Sequence, residues 1–180
     1  MQSNRTEFTT PALWIAACIG TSFICTFGFA CVTPLAGLAA LAGLYLPRRE
    51  ALLTTGATWA ANQAVGFLFL HYPLTANCLG WGVALGAAAL LATIAAGECN
   101  RLQSHAARLV AGLFAAFIVY EGASFAVTPI LGGESTFTAD IVWGVFAINA
   151  LTFCILAASR AAFVAFDLRA RTVALLPSRP

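Results

Sequence analysis

The sequence predicts an all-α membrane protein, a six-transmembrane-helix bundle with both termini cytoplasmic. Three observations predict it. Of 180 residues, 61% are apolar and only 9% charged, against about 45–50% and about 25% in soluble domains, and the mean hydropathy is +0.87. The apolar residues fall into six runs parted by short breaks, uncharged but for Glu121 in the fifth and Asp140 at the start of the sixth. All 9 basic side chains are arginines, and they gather in alternate breaks. This composition excludes a disordered chain, a disulfide scaffold and a nucleic-acid module, each of which needs residues that are scarce here.

The six runs are approximately Leu13–Cys31, Val32–Leu46, Ala51–Leu70, Cys78–Gly97, Leu109–Val127 and Ala139–Ser159. A crossing of the hydrocarbon core takes about 20 apolar residues, so each run is read as one span, the second being short. Leu13–Leu46 read as one tilted helix would give five spans. At about 1.5 Å per residue it would be about 50 Å long, with a helix-breaking proline, Pro34, near its middle. Two helices meeting at Thr33-Pro34 are therefore expected. The first run exceeds the usual signal-peptide core of about 7–15 residues and is read as staying in the membrane. The later breaks are Pro47-Arg48-Arg49-Glu50, His71–Asn77, Glu98–Arg108 and Thr128–Thr138. The tails, residues 1–10 and 169–180, are too short to fold alone, so residues 1–180 form one integral membrane domain.

Arginine marks the cytoplasmic face. With the N-terminus inside, Arg5, Arg48, Arg49, Arg101, Arg108, Arg160, Arg169, Arg171 and Arg179 lie on or near that face, while the three outer loops hold none. The expected location is the inner membrane, multi-pass, with the bilayer as the first partner and no nucleic acid.

Polar groups inside a bundle are costly, which makes their depth informative. Asn62 and Gln63 lie about two turns below the outer end of the third run, Glu121 similarly in the fifth, and Asn149 near the middle of the sixth, accompanied by Trp59, Tyr120 and Trp143. The outer edge adds His71, Tyr72, Asn77, Cys78 and Trp81, whereas the inner halves hold mainly Ala, Gly and Leu. A cavity opening outward is expected, lined by Asn62, Gln63, His71, Tyr72, Asn77, Trp81, Tyr120, Glu121 and Asn149. Each has a plainer reading. The amides, Asn149 above all, serve equally as hydrogen bonds between helices, Glu121 as a neutral acid bonded to a neighbour, and the tryptophans as interfacial anchors.

No HExxH, CxxC, P-loop or GxSxG motif occurs, so no enzyme and no intrinsic cofactor are expected. His71 and His105 fall on opposite faces, which rules out a shared haem iron. Cys18, Cys25 and Cys154 read as small apolar packers. Cys31 and Cys78 both fall on the outer face, where they could be joined by a disulfide or serve in thiol redox chemistry. Alternatively, the Cys78 sulfur, in the segment His71–Gly82, suits a soft or borderline metal such as cobalt.

Size, six short helices, termini inside and the loop cysteine together resemble the substrate-binding S-components of energy-coupling-factor vitamin importers, in particular the solitary cobalamin-specific type. The resemblance implies uptake of vitamin B12, with cobalamin bound as substrate and Cys78 ligating the corrinoid cobalt. It also implies that Ala12-xxx-Ala16-xxx-Gly20 on the first helix docks an energy-coupling membrane subunit with its ATPases. The alternative from another class is a structural or assembly subunit of a larger membrane complex, with no ligand of its own.

Overall fold

The computed structural model describes Gly20 and residues 33–174, with side chains to residue 166. The first expected span apart from Gly20, with Ala12, Ala16, Cys18, Cys25, Cys31 and the arginines at 5 and 179, lies outside the described residues, as do the side chains of Arg169 and Arg171.

The elements are helical throughout: α1 (Leu35–Tyr45), α2 (Arg48–Leu68), α3 (Ala76–Glu98), α4 (His105–Ala126), the single turn α5 (Thr128–Leu131) and α6 (Ala139–Ala174). Short 3-10 turns at Cys99–Arg101 and Glu134–Thr136 join α3 to α4 and α5 to α6. Prolines and hydroxyls set the starts. Pro34 and Pro47 precede α1 and α2, where a missing N–H costs nothing. Thr75 and Ser104 cap α3 and α4 by accepting the N–H of Cys78 and Ala107.

Among the described residues three stretches are long and apolar enough to cross a membrane: Ala76–Arg101, His105–Leu131 and Ala139–Phe166. They mark the chain as a membrane protein. The second and third expected spans differ from these. The stretch Val32–Leu46 yields only the 11 residues of α1, about 16 Å of helix, which is half a bilayer core. α2 has 21 residues, but Thr54, Thr55, Thr58, Asn62 and Gln63 make it markedly less apolar than the other long helices.

α1 is the centre of the bundle. Ala36, Ala39, Ala40 and Leu41 are wholly buried, and the helix packs against α2, α3, α4 and α6. A helix apolar on every side has no solvent face to offer. Its alanines and glycines let neighbours approach closely, and close packing rather than water exclusion is what binds helices in lipid. At Gly43 the α1 backbone lies against the Thr93 carbonyl, and an added Cβ would stand 3.0 Å from the Gly97 nitrogen. α2 is tied to α3 by hydroxyls: those of Thr55 and Thr93 are 2.8 Å apart. Stacked and edge-on rings of Phe114, Phe117, Trp143 and Phe146 join α4 to α6.

The long helices alternate in direction. One end collects Tyr45, with the Arg160 guanidinium 4.1 Å from its ring centroid, the Arg48 start of α2, the Glu98–Arg101 ion pair at 2.6 Å, and Asn100, whose Nδ2 donates to the Gly43 carbonyl at 3.1 Å. Leu44 packs over Gly112 near the start of α4, which brings His105 and Arg108 to this arginine end. The far end gathers Thr33, residues 69–75 and residues 128–138, joined by the contacts of Asn62, Asn77 and Trp81.

Candidate functional site

The far end is built around the start of α3. α2 stops when the chain turns at His71, whose φ of 53° is left-handed. The Tyr72 N–H then donates to the Gly66 carbonyl at 3.0 Å, a helix stop in which glycine is the cheapest occupant of the turning position. The turn folds the Tyr72 ring over Gly66, where an added Cβ would come within 2.5 Å of it, with Phe67 edge-on at 6.1 Å. The His71 side chain is left exposed.

Four residues later α3 begins. Thr75 Oγ1 accepts the Cys78 N–H at 3.2 Å, and Asn77 Nδ2 donates to the Leu131 carbonyl at 2.7 Å, clamping the first turn of α3 to α5. Trp81, one turn on, lies against Gly133. Cys78 therefore stands on a turn held from two sides, with a free, half-buried thiol. Its possible partner Cys31 is outside the described residues.

The amides below this platform are engaged between helices. Asn62 Nδ2 donates to Thr33 Oγ1. Gln63 Oε1 leans on Gly82, where an added Cβ would stand 2.7 Å away, and Trp59 Nε1 donates to the Gly82 carbonyl at 2.8 Å. Asn149 is fully buried. Its Oδ1 accepts the Gly37 N–H at 2.7 Å, while its Nδ2 donates to the Val145 carbonyl at 2.9 Å. It acts as a helix cap delivered from another helix, since Gly37 is the third residue of α1 and α1 has no side-chain cap of its own.

Glu121, on α4, differs from these. It is half-buried, and among the described residues no hydrogen bond or ion pair reaches its carboxylate. Its neighbour Tyr120 belongs to the buried core. The structure thus gathers His71, Tyr72, Asn77, Cys78 and Trp81 at one end, with Asn62 and Gln63 beneath. It sets Asn149 apart as a core contact, and it makes no bond between Glu121 and the others. Gly20, the described residue of the Ala12-xxx-Ala16-xxx-Gly20 pattern, is helical and half-buried, and no described residue lies within 4 Å of where its Cβ would stand.

Among the described residues no three His, Cys, Asp or Glu side chains gather to hold a metal ion. The chemistry open to the far end is accordingly that of a single soft donor, an exposed imidazole and aromatic faces. A metal that brought its own macrocyclic ligands would need no more than one such donor.

One feature escaped the sequence reading. A cleft of about 190 Å³ lies at the arginine end, where α1, α2 and α3 meet, with Arg48, Thr93, Glu98 and Asn100 among its lining. The sequence signal was Gly43 and Gly97, small residues that leave room where the helix ends splay. No family model, no curated protein and no solved structure matches the chain.

Proposed function

We propose that the chain is an integral membrane substrate-binding protein for uptake of a small polar molecule, and that the ligand is a corrinoid, vitamin B12, received at the far end. In this reading the far end is the outer face and the arginine end is cytoplasmic. The observation that carries it is the free Cys78 thiol, half-exposed on a helix turn pinned by Thr75 and by the Asn77–Leu131 bond. A sulfur so held would supply one donor to cobalt, a soft-to-borderline ion. Two further features support the reading. His71 occupies a left-handed turn that glycine would fill at less cost, and non-glycine residues in such positions cluster at functional sites. Glu121 keeps a carboxyl part-way into the apolar bundle with no partner among the described residues, in a place where ionisable groups are expensive.

The residues divide the work. Tyr72 and Trp81 offer flat faces to a macrocycle, Asn77 and Glu121 offer polar contacts to its rim, and Cys78 fixes its centre. No nucleotide motif occurs in the chain, so either a coupling subunit with its ATPases supplies the energy for release or the protein works slowly alone.

The test is a titration of purified wild type and Cys78→Ser with hydroxocobalamin, read by visible spectroscopy. The expected result is a shift of the corrinoid bands with wild type that disappears in the variant, while stability changes by no more than about 0.5 kcal/mol. An unchanged shift in the variant removes Cys78 as ligand and makes His71 the next donor to replace.

One observation favours the second reading, a subunit of a larger membrane complex. α6 presents Trp143, Leu151, Ile155, Phe163 and Phe166 outward, each exposed, which is a broad face for another helix or for lipid. Absence of any corrinoid binding, together with stable co-purification of another membrane polypeptide, would establish that reading over the first.

A further inference from the structure

The cleft at the arginine end has a composition that the proposed uptake function does not use. Leu46, Leu52 and Ile94 are its large apolar residues, while Arg48, Asn100 and Thr93, whose hydroxyl is already bonded to Thr55 and the Ala89 carbonyl, are polar. Glu98 also lines it, but its carboxylate is held at 2.6 Å by Arg101, so its charge is already met. Among the described residues no carboxylate pairs with Arg48. Asn100 spends one amide hydrogen on the Gly43 carbonyl and retains a second donor. The cleft is thus a cationic, hydrogen-bond-donating mouth backed by aliphatic side chains. It sits level with Tyr45 and Arg160, whose ring and guanidinium are stacked, residue types that anchor membrane proteins at the headgroup layer.

We propose that this cleft binds the phosphate of an anionic phospholipid, with the Arg48 guanidinium forked onto the phosphate oxygens and the Leu46, Leu52 and Ile94 wall against the glycerol and upper acyl carbons. Guanidinium matches phosphate with paired donors, and basic pockets between membrane helices are the usual seats of anionic headgroups. Free inorganic phosphate shares the charge chemistry, but it has no apolar part to cover the aliphatic wall, and this favours the lipid.

The experiment is native mass spectrometry of the delipidated full chain in neutral detergent, titrated separately with phosphatidylglycerol, phosphatidylcholine and inorganic phosphate. Wild type is expected to retain a single phosphatidylglycerol in preference to phosphatidylcholine. Arg48→Gln is expected to hold phosphatidylglycerol about fivefold more weakly, the worth of one arginine at a charged surface, whereas Arg49→Gln, outside the cleft, is expected to leave retention unchanged. Ile94→Trp fills the cleft while keeping its charge, so it is expected to abolish the adduct even if Arg48→Gln fails to fold. Three outcomes would overturn the proposal. These are no preference for phosphatidylglycerol in wild type, equal weakening by Arg48→Gln and Arg49→Gln, or retention in a folded Ile94→Trp variant. Displacement of the lipid by inorganic phosphate would assign the site to the free anion instead and overturn the lipid assignment.

Discussion

Asn149 carries the most consequential side-chain contact in the bundle. Its carboxamide accepts the Gly37 N–H and donates to the Val145 carbonyl from a fully buried position, and a buried backbone donor without a partner is among the costlier faults a fold can carry. Asn149→Ala should therefore destabilise the protein by about 1–2 kcal/mol, seen as a lowered melting temperature in detergent. Glu121→Gln should behave in the opposite way. With no bond to break among the described residues, stability should change by no more than about 0.5 kcal/mol, while uptake of labelled cobalamin in cells falls. Unchanged uptake would return Glu121 to a packing role. The polar residues were legible in the sequence because hydrocarbon makes each of them conspicuous. Their partners were not, since Asn149 and Gly37 are 112 positions apart and no local pattern joins them. The left-handed turn at His71 was equally hidden, because the sequence offers no glycine there to announce it.

Among the elements, α1 tests how far close packing holds the bundle together. Gly43→Ala would drive a methyl group into the Thr93 carbonyl and the Gly97 backbone, where neither neighbour can turn aside, and should cost about 1–3 kcal/mol. Gly56→Ala is the matched control. It lies mid-helix in α2 with no described residue within 4 Å of the new methyl, so it should be neutral or should stabilise by up to about 1 kcal/mol. Chemical denaturation of both variants would check the pair. The helices at Arg48, Ala76 and His105 begin two to four residues before the expected runs at Ala51, Cys78 and Leu109, because Pro47, Thr75 and Ser104 set those starts on the local backbone and hydrophobicity does not. The length and role of α1 were not readable, because an alanine-leucine run looks the same facing lipid or facing other helices. α6 continues well beyond the expected span Ala139–Ser159. A charge such as Arg160 bounds an apolar run but does not stop a helix, and α6 carries the Arg160 guanidinium over the Tyr45 ring and runs on to Ala174.

Across the whole molecule the described arginine side chains share one end, and Leu74 and Gly132 are exposed at the other. Cysteine labelling from outside intact cells should therefore modify Leu74→Cys and Gly132→Cys but not Gln103→Cys. Labelling of Gln103→Cys alone would invert the topology. The separation into two ends was legible because charge placement and helix breaks follow the same alternation. The meeting of α1, α2 and α3 in a cleft was not, since it depends on how the helix ends splay. The Asn149 cap also bears on synthesis. A ribosome adding about 5–20 residues per second finishes α1 on the order of ten seconds before it makes the asparagine that satisfies the Gly37 N–H. Until then the start of α1 holds an unmet donor that hydrocarbon tolerates poorly, so the oldest helix of the described bundle can settle only when the youngest arrives. Nascent chains released before α6 should accordingly be the protease-sensitive ones.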